Sequence, residues 1–314
     1  MNVRTIEEEK AALERKYGAW TAHNVRLADG VWTISDEPTG DEVKLRRVVQ
    51  VVSDVLAGRI AGARVLDLAC LEGMYALELA SRGAEVVAIE GREANLEKAR
   101  FAARALGLDV DFRLGDVRDL GRDEHGEFDV VLCLGILYHL DTPDIFEFVD
   151  RIAAVCRRAL IVDTHAAPAG KERHEHRGQS YEGHHLVEHD AAASAEERLR
   201  AVWSSLDNPT AFALTRPSLE RLLARSGFTS VYECHVPAEP AKEVDRITLV
   251  ALKGEDAGTL LAPRPREDAS AVPERAPLAR RLEAARLWRV GRRAVPQPLR
   301  ARLRALLGAE TRRH

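Results

Sequence analysis

Apolar and polar positions follow a repeating rhythm through the middle of the chain. Between residues 63 and 165, short apolar runs such as ARVLDLA, AEVVAIE, EFDVVLCLG and ALIVDTH alternate with longer stretches such as EANLEKARFAARALG and DIFEFVDRIAAVCRR, whose apolar positions recur at helical spacing. Continuous apolar runs suit strands buried on both faces, and the helices between them supply crossovers. The pattern therefore predicts an α/β fold with a parallel sheet covered on both sides. Upstream, residues 4–17 have helical composition, HNVRLADGVWTI alternates around Asp29-Gly30 as a two-residue hairpin does, and a second helix is expected over 40–58. Downstream, the alternation stops at a polar insertion, 165–192. Helices near 195–206 and 217–226 follow, then two strands, TSVYECHV and DRITLVALK, that can pair at a sheet edge.

At 314 residues and 46% hydrophobic content, the chain can bury one large core. The pattern divides it into a helix-and-hairpin cap over 1–39, a main domain over 40–253 and a tail over 254–314 that opens with the Pro- and Ala-rich APRPREDASAVPERAP. The formal charge of −4 hides an asymmetry, because residues 275–314 carry twelve Arg and no Lys against Glu283 and Glu310. An acidic body thus bears a basic tail. Such a tail suits an anionic membrane surface, nucleic acid, or the acidic body itself. Few aromatics interleave its arginines, which makes nucleic acid the less favoured partner. No apolar run approaches the roughly 20 residues of a membrane span, and the first residues are too charged for a secretory signal. A cytoplasmic location is expected, with the tail able to hold the chain at a membrane periphery. Cys70, Cys133, Cys156 and Cys234 are widely spaced with no C-x-x-C pair, so reduced thiols are expected.

Within the main domain, VLDLACLEG (Val65 to Gly73) reads as a buried strand running into a tight turn and a helix, the place where α/β proteins grip nucleotides. A dinucleotide turn needs glycines where this chain has Ala69 and Leu71, which weakens that reading. What remains is Asp67 at the strand end, the small Ala69, and Gly73 opening the helix. A carboxylate at that mouth repels a diphosphate and attracts an ammonium or sulfonium group. Further features fall at the ends of later strands. Glu90, ending VVAIE, can accept both hydroxyls of a ribose; Asp116 can accept from an adenine amino group, with Val117 offering a backbone N–H. FDVVLCLGILYHLDTP supplies a fourth strand ending near Leu134-Gly135.

Taken together and in this order, VLDLACLEG, VVAIEG, GDV and FDVVLCLGILYHLDTP resemble the class I S-adenosylmethionine (SAM)-dependent methyltransferases over about residues 40–252. DLACLEG, YHLDTP and the upstream hairpin are similar to a bacterial subgroup holding relatives of wobble-uridine tRNA methyltransferases and small-molecule enzymes. The resemblance implies a Rossmann-like fold with a mostly parallel seven-stranded sheet, an antiparallel edge strand and helices on both faces. It also implies SAM as cofactor. The loop Asp67 to Gly73, with Ala69 and with Glu72 as a further acceptor, would surround the methionine moiety, Glu90 the ribose, Asp116 and Val117 the adenine. The Leu134 carbonyl would take the methionine amino group. Ala69 and Leu71 depart from the family's usual glycines: Ala69 is small enough to keep the turn, whereas Leu71 alters the expected loop path.

On the acceptor side, methyl transfer from a sulfonium is an in-line displacement, so a positioned base is informative. His139 follows the fourth strand, Asp163 and His165 end ALIVDTH and are each read as able to orient the acceptor, and the insertion adds His174, His176, His184, His185 and His189, six of the eleven histidines when His165 is included. His139, His165 and His184 are the candidate base or orienting groups, and the insertion is expected to be a substrate lid. His185 and His189, four apart, suit one helical face; a divalent metal fits that mixture chemically but is not assigned. Trp20, His23 and Asn24 either pack or fold over the cofactor. The reading is an O-methyltransferase acting on a small polar hydroxylated substrate, such as a sugar or glycan end. The alternatives are a tRNA-modifying enzyme acting on a wobble-uridine derivative and a non-catalytic SAM-binding scaffold.

Overall fold

The computed structural model describes residues 1–254 apart from 38, 240 and 241, so the Arg-rich tail lies outside the described residues. Helix α1 (Val3–Tyr17) leads into the hairpin β1 (Arg26–Ala28) and β2 (Val31–Trp32), as the Asp29-Gly30 signal predicts, and then α2 (Asp41–Val55). The alternating region forms β3 (Arg64–Leu68), α3 (Met74–Ser81), β4 (Glu85–Glu90), α4 (Glu93–Leu106), β5 (Asp111–Leu114), α5 (Arg122–His125), β6 (Phe128–Leu134), α6 (Asp144–Val155) and β7 (Cys156–His165). After these come β8 (Glu172–His176), β9 (Gln179–Val187), α7 (Ala195–Arg200), β10 (Thr210–Leu214), α8 (Arg216–Arg225), β11 (Ser230–Glu233) and β12 (Arg246–Leu252).

The main sheet has seven strands in the order β11-β12-β7-β6-β3-β4-β5. β12 runs antiparallel to β7 and β11, and the strands from β7 to β5 are parallel. Strand alternation splits the core between the two faces. Val65, Leu132, Ile161 and Val250 pack with Val48 and Val52 of α2, Leu79 of α3 and Phe101 of α4. Leu66, Leu68, Val131 and Leu249 pack on the other side with Phe146 and Ile152 of α6 and Leu222 of α8. Burial on both sides is why FDVVLCL reads as one apolar run instead of an alternating one. The parallel strands end along one edge, which places Asp67, Glu90 and Leu134 near one another.

The insertion read as a substrate lid carries strands of its own. β8, β9 and β10 form a separate three-stranded antiparallel sheet, with Arg177 and Gly178 at positive φ in the turn between β8 and β9. His185 therefore lies on a strand and His189 beyond its end, not on one helical face. His185 pairs with Asp141 at 3.2 Å, and His189 Nε2 donates to the Ser205 carbonyl at 2.9 Å. Among the described residues no helix is long and apolar enough to cross a membrane. Cys70, Cys133 and Cys156 are buried, Cys234 is half-buried, and all four are free thiols.

Candidate active site

The turn after β3 holds its shape without the usual glycines. Ala69 and Leu71 both adopt positive φ, 54° and 52°, in the left-handed region that favours glycine. Hydrogen bonds offset this strain. Cys70 N–H donates to the Ile89 carbonyl at 3.0 Å, Gly73 N–H to the Cys70 carbonyl at 2.9 Å, and Leu71 N–H to Glu90 Oε2 at 2.9 Å. Gly73 is irreplaceable for space as well as for its φ of 83°, since a Cβ there would sit 2.9 Å from that of Ala99. The carboxylate assigned to the ribose thus also fixes the loop assigned to the methionine.

Asp67, at 1% exposure, keeps Oδ2 without a partner among the described residues. Burial pushes its carboxyl up to about 7, opposed by the Ala76 N–H and reinforced by the Glu90 charge. An unpartnered buried oxygen at the sheet edge is what a cationic group would satisfy. Burial also raises Glu90, against N–H groups of Arg92 (2.8 Å) and Leu71 and the Arg92 charge. Asp116 is partly engaged already: it accepts the Arg118 N–H at 2.8 Å and Arg118 Nε at 2.9 Å. Burial works against its ionisation, but Arg118 holds it below the usual carboxylate range. Val117 is buried, so any ring contact there falls to its backbone. Leu134 extends one residue past the last β3–β6 pairing and stands opposite Asp163 of β7.

Two sequence readings need correction. Glu72 does not face the site: fully buried, it accepts the N–H groups of Thr21, Ala22 and His23 at 2.8, 3.2 and 3.1 Å and pairs with Lys98 at 3.2 Å. It anchors the N-terminal segment. That segment packs on the main domain, one of the two roles its residues allow. Trp20 lies against Phe101 and under Lys98, Asn24 holds the chain after the hairpin, and His23 Nδ1 accepts the Met74 N–H at the start of α3. Asp163, read as able to orient the acceptor, is enclosed by Arg246 at 2.6 Å, Lys44 at 3.4 Å, Lys242 at 3.7 Å and the Thr248 hydroxyl at 2.7 Å. Burial raises Asp163, but Lys44 and Arg246 outweigh it and hold the carboxyl at about 2.

The three candidate histidines do converge. His139, His165 and His184 line one cavity of about 420 Å³, together with Tyr138, Glu188 and Trp203; this is the size of small-molecule sites. Trp203 and Val187 present apolar surface there, 64% and 82% exposed. Both Glu188 oxygens lie 3.0 Å from His139 Nδ1. His165 has Asp245 3.3 Å from Nδ1 and Glu243 3.5 Å from Nε2, and His184 has Glu172 3.4 Å from Nδ1. His165, Glu243 and Asp245 are also the one group that could offer three metal ligands among the described residues. A second groove, about 500 Å³, runs past Gly91, Leu206 and Asp207, next to Glu90.

Residues 65–159 match a family described as a methyltransferase domain. The ubiquinone biosynthesis O-methyltransferase of Azotobacter vinelandii is 42% identical over 85 residues, 27% of this chain and 37% of that protein. The chain spans between about a third and a half of the length of the curated relatives it matches. Among solved structures, the N-terminal domain of EvdMO1 with SAH bound aligns at a TM-score of 0.62 and 24% identity, covering 81% of this chain and 98% of that one. The same domain in the presence of SAH and D-fucose aligns at 0.59, again 24% identical over 81% and 98%. These two likenesses show the fold. The domain match over residues 65–159 takes in the ordered strand-tip motifs that resemble the class I SAM-dependent methyltransferases.

Proposed function

We propose that the chain binds SAM across the tips of β3, β4 and β6 and transfers its methyl group to a hydroxyl of a small polar molecule seated in the histidine-lined cavity. The observation that carries this reading is the adjacency of two chemistries on one sheet edge: buried acids suited to a cationic nucleoside, and a cavity walled by three histidines. When bound, SAM would supply an electrophilic methyl carbon on a sulfonium sulfur, a methyl that an acceptor oxygen would take while the carbon–sulfur electron pair stayed with sulfur as a neutral thioether.

The chain's own residues supply the rest. Asp67 and the Leu134 carbonyl suit the methionine ammonium, and Glu90 the ribose hydroxyls. Among the described residues, the four cations Lys44, Arg47, Lys242 and Arg246 form ion pairs with only Asp163 and Glu239. Asp41 lies close enough to feel Lys44 and Arg246, and among the described residues of this cluster one positive charge remains in excess, which suits the methionine carboxylate. In the cavity, His139 takes the hydroxyl proton, while His165 and His184 orient the acceptor. Trp203 offers a flat apolar face beside polar groups, a combination that favours a sugar ring. The curated relatives are named for O-methylation, and one fold neighbour is recorded in the presence of D-fucose.

The test is incubation of the chain with methyl-labelled SAM and a cell extract separated into glycan, lipid, RNA and small-molecule pools. Label in the small-molecule or glycan pool is expected. Label confined to RNA would replace this reading with tRNA modification, and no label in any pool would favour a non-catalytic SAM-binding protein.

A further inference from the structure

Residues 188–208, within the segment between β9 and β10, touch both halves of the site. At the acceptor end, Glu188 faces His139 Nδ1 with both oxygens, and its Oε2 also accepts the Ser205 N–H at 2.7 Å. Asn208 Nδ2 donates to the His139 carbonyl at 2.9 Å. At the cofactor end, the buried guanidinium of Arg92, two residues past Glu90, donates to the carbonyls of Leu199, Ala201, Ser204 and Ser205 at 2.8 to 3.0 Å. Leu206 lies so close over Gly91 that a Cβ on Gly91 would meet it at 2.4 Å.

We propose that residues 188–208 form a strap that couples the two ends: Arg92 ties it to the ribose edge, and Glu188 is a positioning residue that fixes the tautomer of His139. The proposal rests on the reading of His139 as the base. An ionised carboxylate can only accept, so Nδ1 must carry the proton beside Glu188. The neutral ring then keeps its lone pair on Nε2, which has no hydrogen-bond partner among the described residues. That nitrogen is the one able to receive a hydroxyl proton. Because Ser205 and Leu199 hang from Arg92, the geometry of the base depends on a residue at the opposite end of the site.

The tautomer can be read without knowing the acceptor. Nitrogen-15 shifts of the His139 ring in the full chain, at a pH above the imidazole range, distinguish the two forms, with His139→Gln assigning the signal. The wild type is expected to show the proton on Nδ1; a proton on Nε2 overturns the proposal even if neither Glu188→Gln nor Arg92→Gln folds. In Glu188→Gln the amide oxygen is held by the Ser205 N–H, which turns the NH₂ group toward His139 and makes Nδ1 an acceptor. The proton is expected to move to Nε2, and an unchanged tautomer refutes the role of Glu188. Arg92→Gln, with Glu188 intact, is expected to give a mixture of tautomers; a spectrum identical to wild type removes Arg92 from the strap. SAH binding, measured separately, tests the cofactor reading: an Nδ1 proton without SAH binding sinks that reading alone, and SAH binding with an Nε2 proton sinks the strap alone.

Discussion

Replacing Asp67 with Asn removes a charge that the fold keeps in an apolar place. The Asp67 carboxyl sits at about 7 against its ordinary 3.8, chiefly because it is buried, so the folded chain holds this proton more tightly than the unfolded chain. Between those values the unfolded chain binds fewer protons, and this group lowers stability as pH rises from about 4 to 7. A shift of about three pKa units corresponds to about 4 kcal/mol of lost stability at pH 8 and less than about 2 kcal/mol at pH 5. Asn keeps the size of the side chain and an oxygen for the Ala76 N–H. Asp67→Asn is therefore expected to be more stable than wild type, by about 2 kcal/mol more at pH 8 than at pH 5. His23 has the opposite slope: burial lowers it to about 4, so its contribution is fully present above about pH 6.5 and is lost as pH falls toward 4. It is common to both chains and cancels in the comparison. Urea unfolding of both proteins at the two pH values gives the difference directly. An equal effect at both values, or a larger loss at pH 8, would refute the reasoning. The gain should also cost function, with SAH binding at pH 8 weakened about tenfold, or about 1.4 kcal/mol.

Arg246→Gln, which leaves Lys44 beside Asp163, is expected to weaken SAH at least tenfold while leaving 5′-methylthioadenosine, which lacks the amino-acid carboxylate, nearly unchanged. Calorimetry with both ligands checks this, and equal losses would deny Arg246 its carboxylate. Glu72→Ala leaves Lys98 buried without its charge partner and frees three N–H groups of the N-terminal segment, so a loss of about 3 to 5 kcal/mol is expected in urea unfolding. A change below about 1 kcal/mol would mean that Glu72 does not anchor that segment.

What the sequence made legible was the part set by local rhythm. Strand ends follow from the apolar runs, so Asp67, Glu90 and Leu134 could be placed on one edge before any coordinates, and His139, His165 and His184 do share a cavity. Groups whose partners arrive from far along the chain were not legible. Glu72 stands in the motif like a ligand group, yet docking of residues 21–23 turns it inward. Glu188 meets His139 across 49 residues, and Arg92 reaches the strap across more than 100, contacts that depend on how the insertion folds. The insertion did carry one overlooked signal. Arg177-Gly178 separates two polar runs as a two-residue hairpin turn does, which marks strands where the four-residue spacing of His185 and His189 would suit a helical face. The exposed outer face of that sheet kept its strands too polar to be read from apolar pattern.

The central claim is that acids on neighbouring strand tips receive a positively charged sulfur nucleoside. Titration of the full chain with SAM in a calorimeter, beside NAD as a nucleotide of different charge, tests it most directly. One saturable site for SAM and no heat from NAD is the expected outcome; NAD binding with SAM ignored would contradict the account.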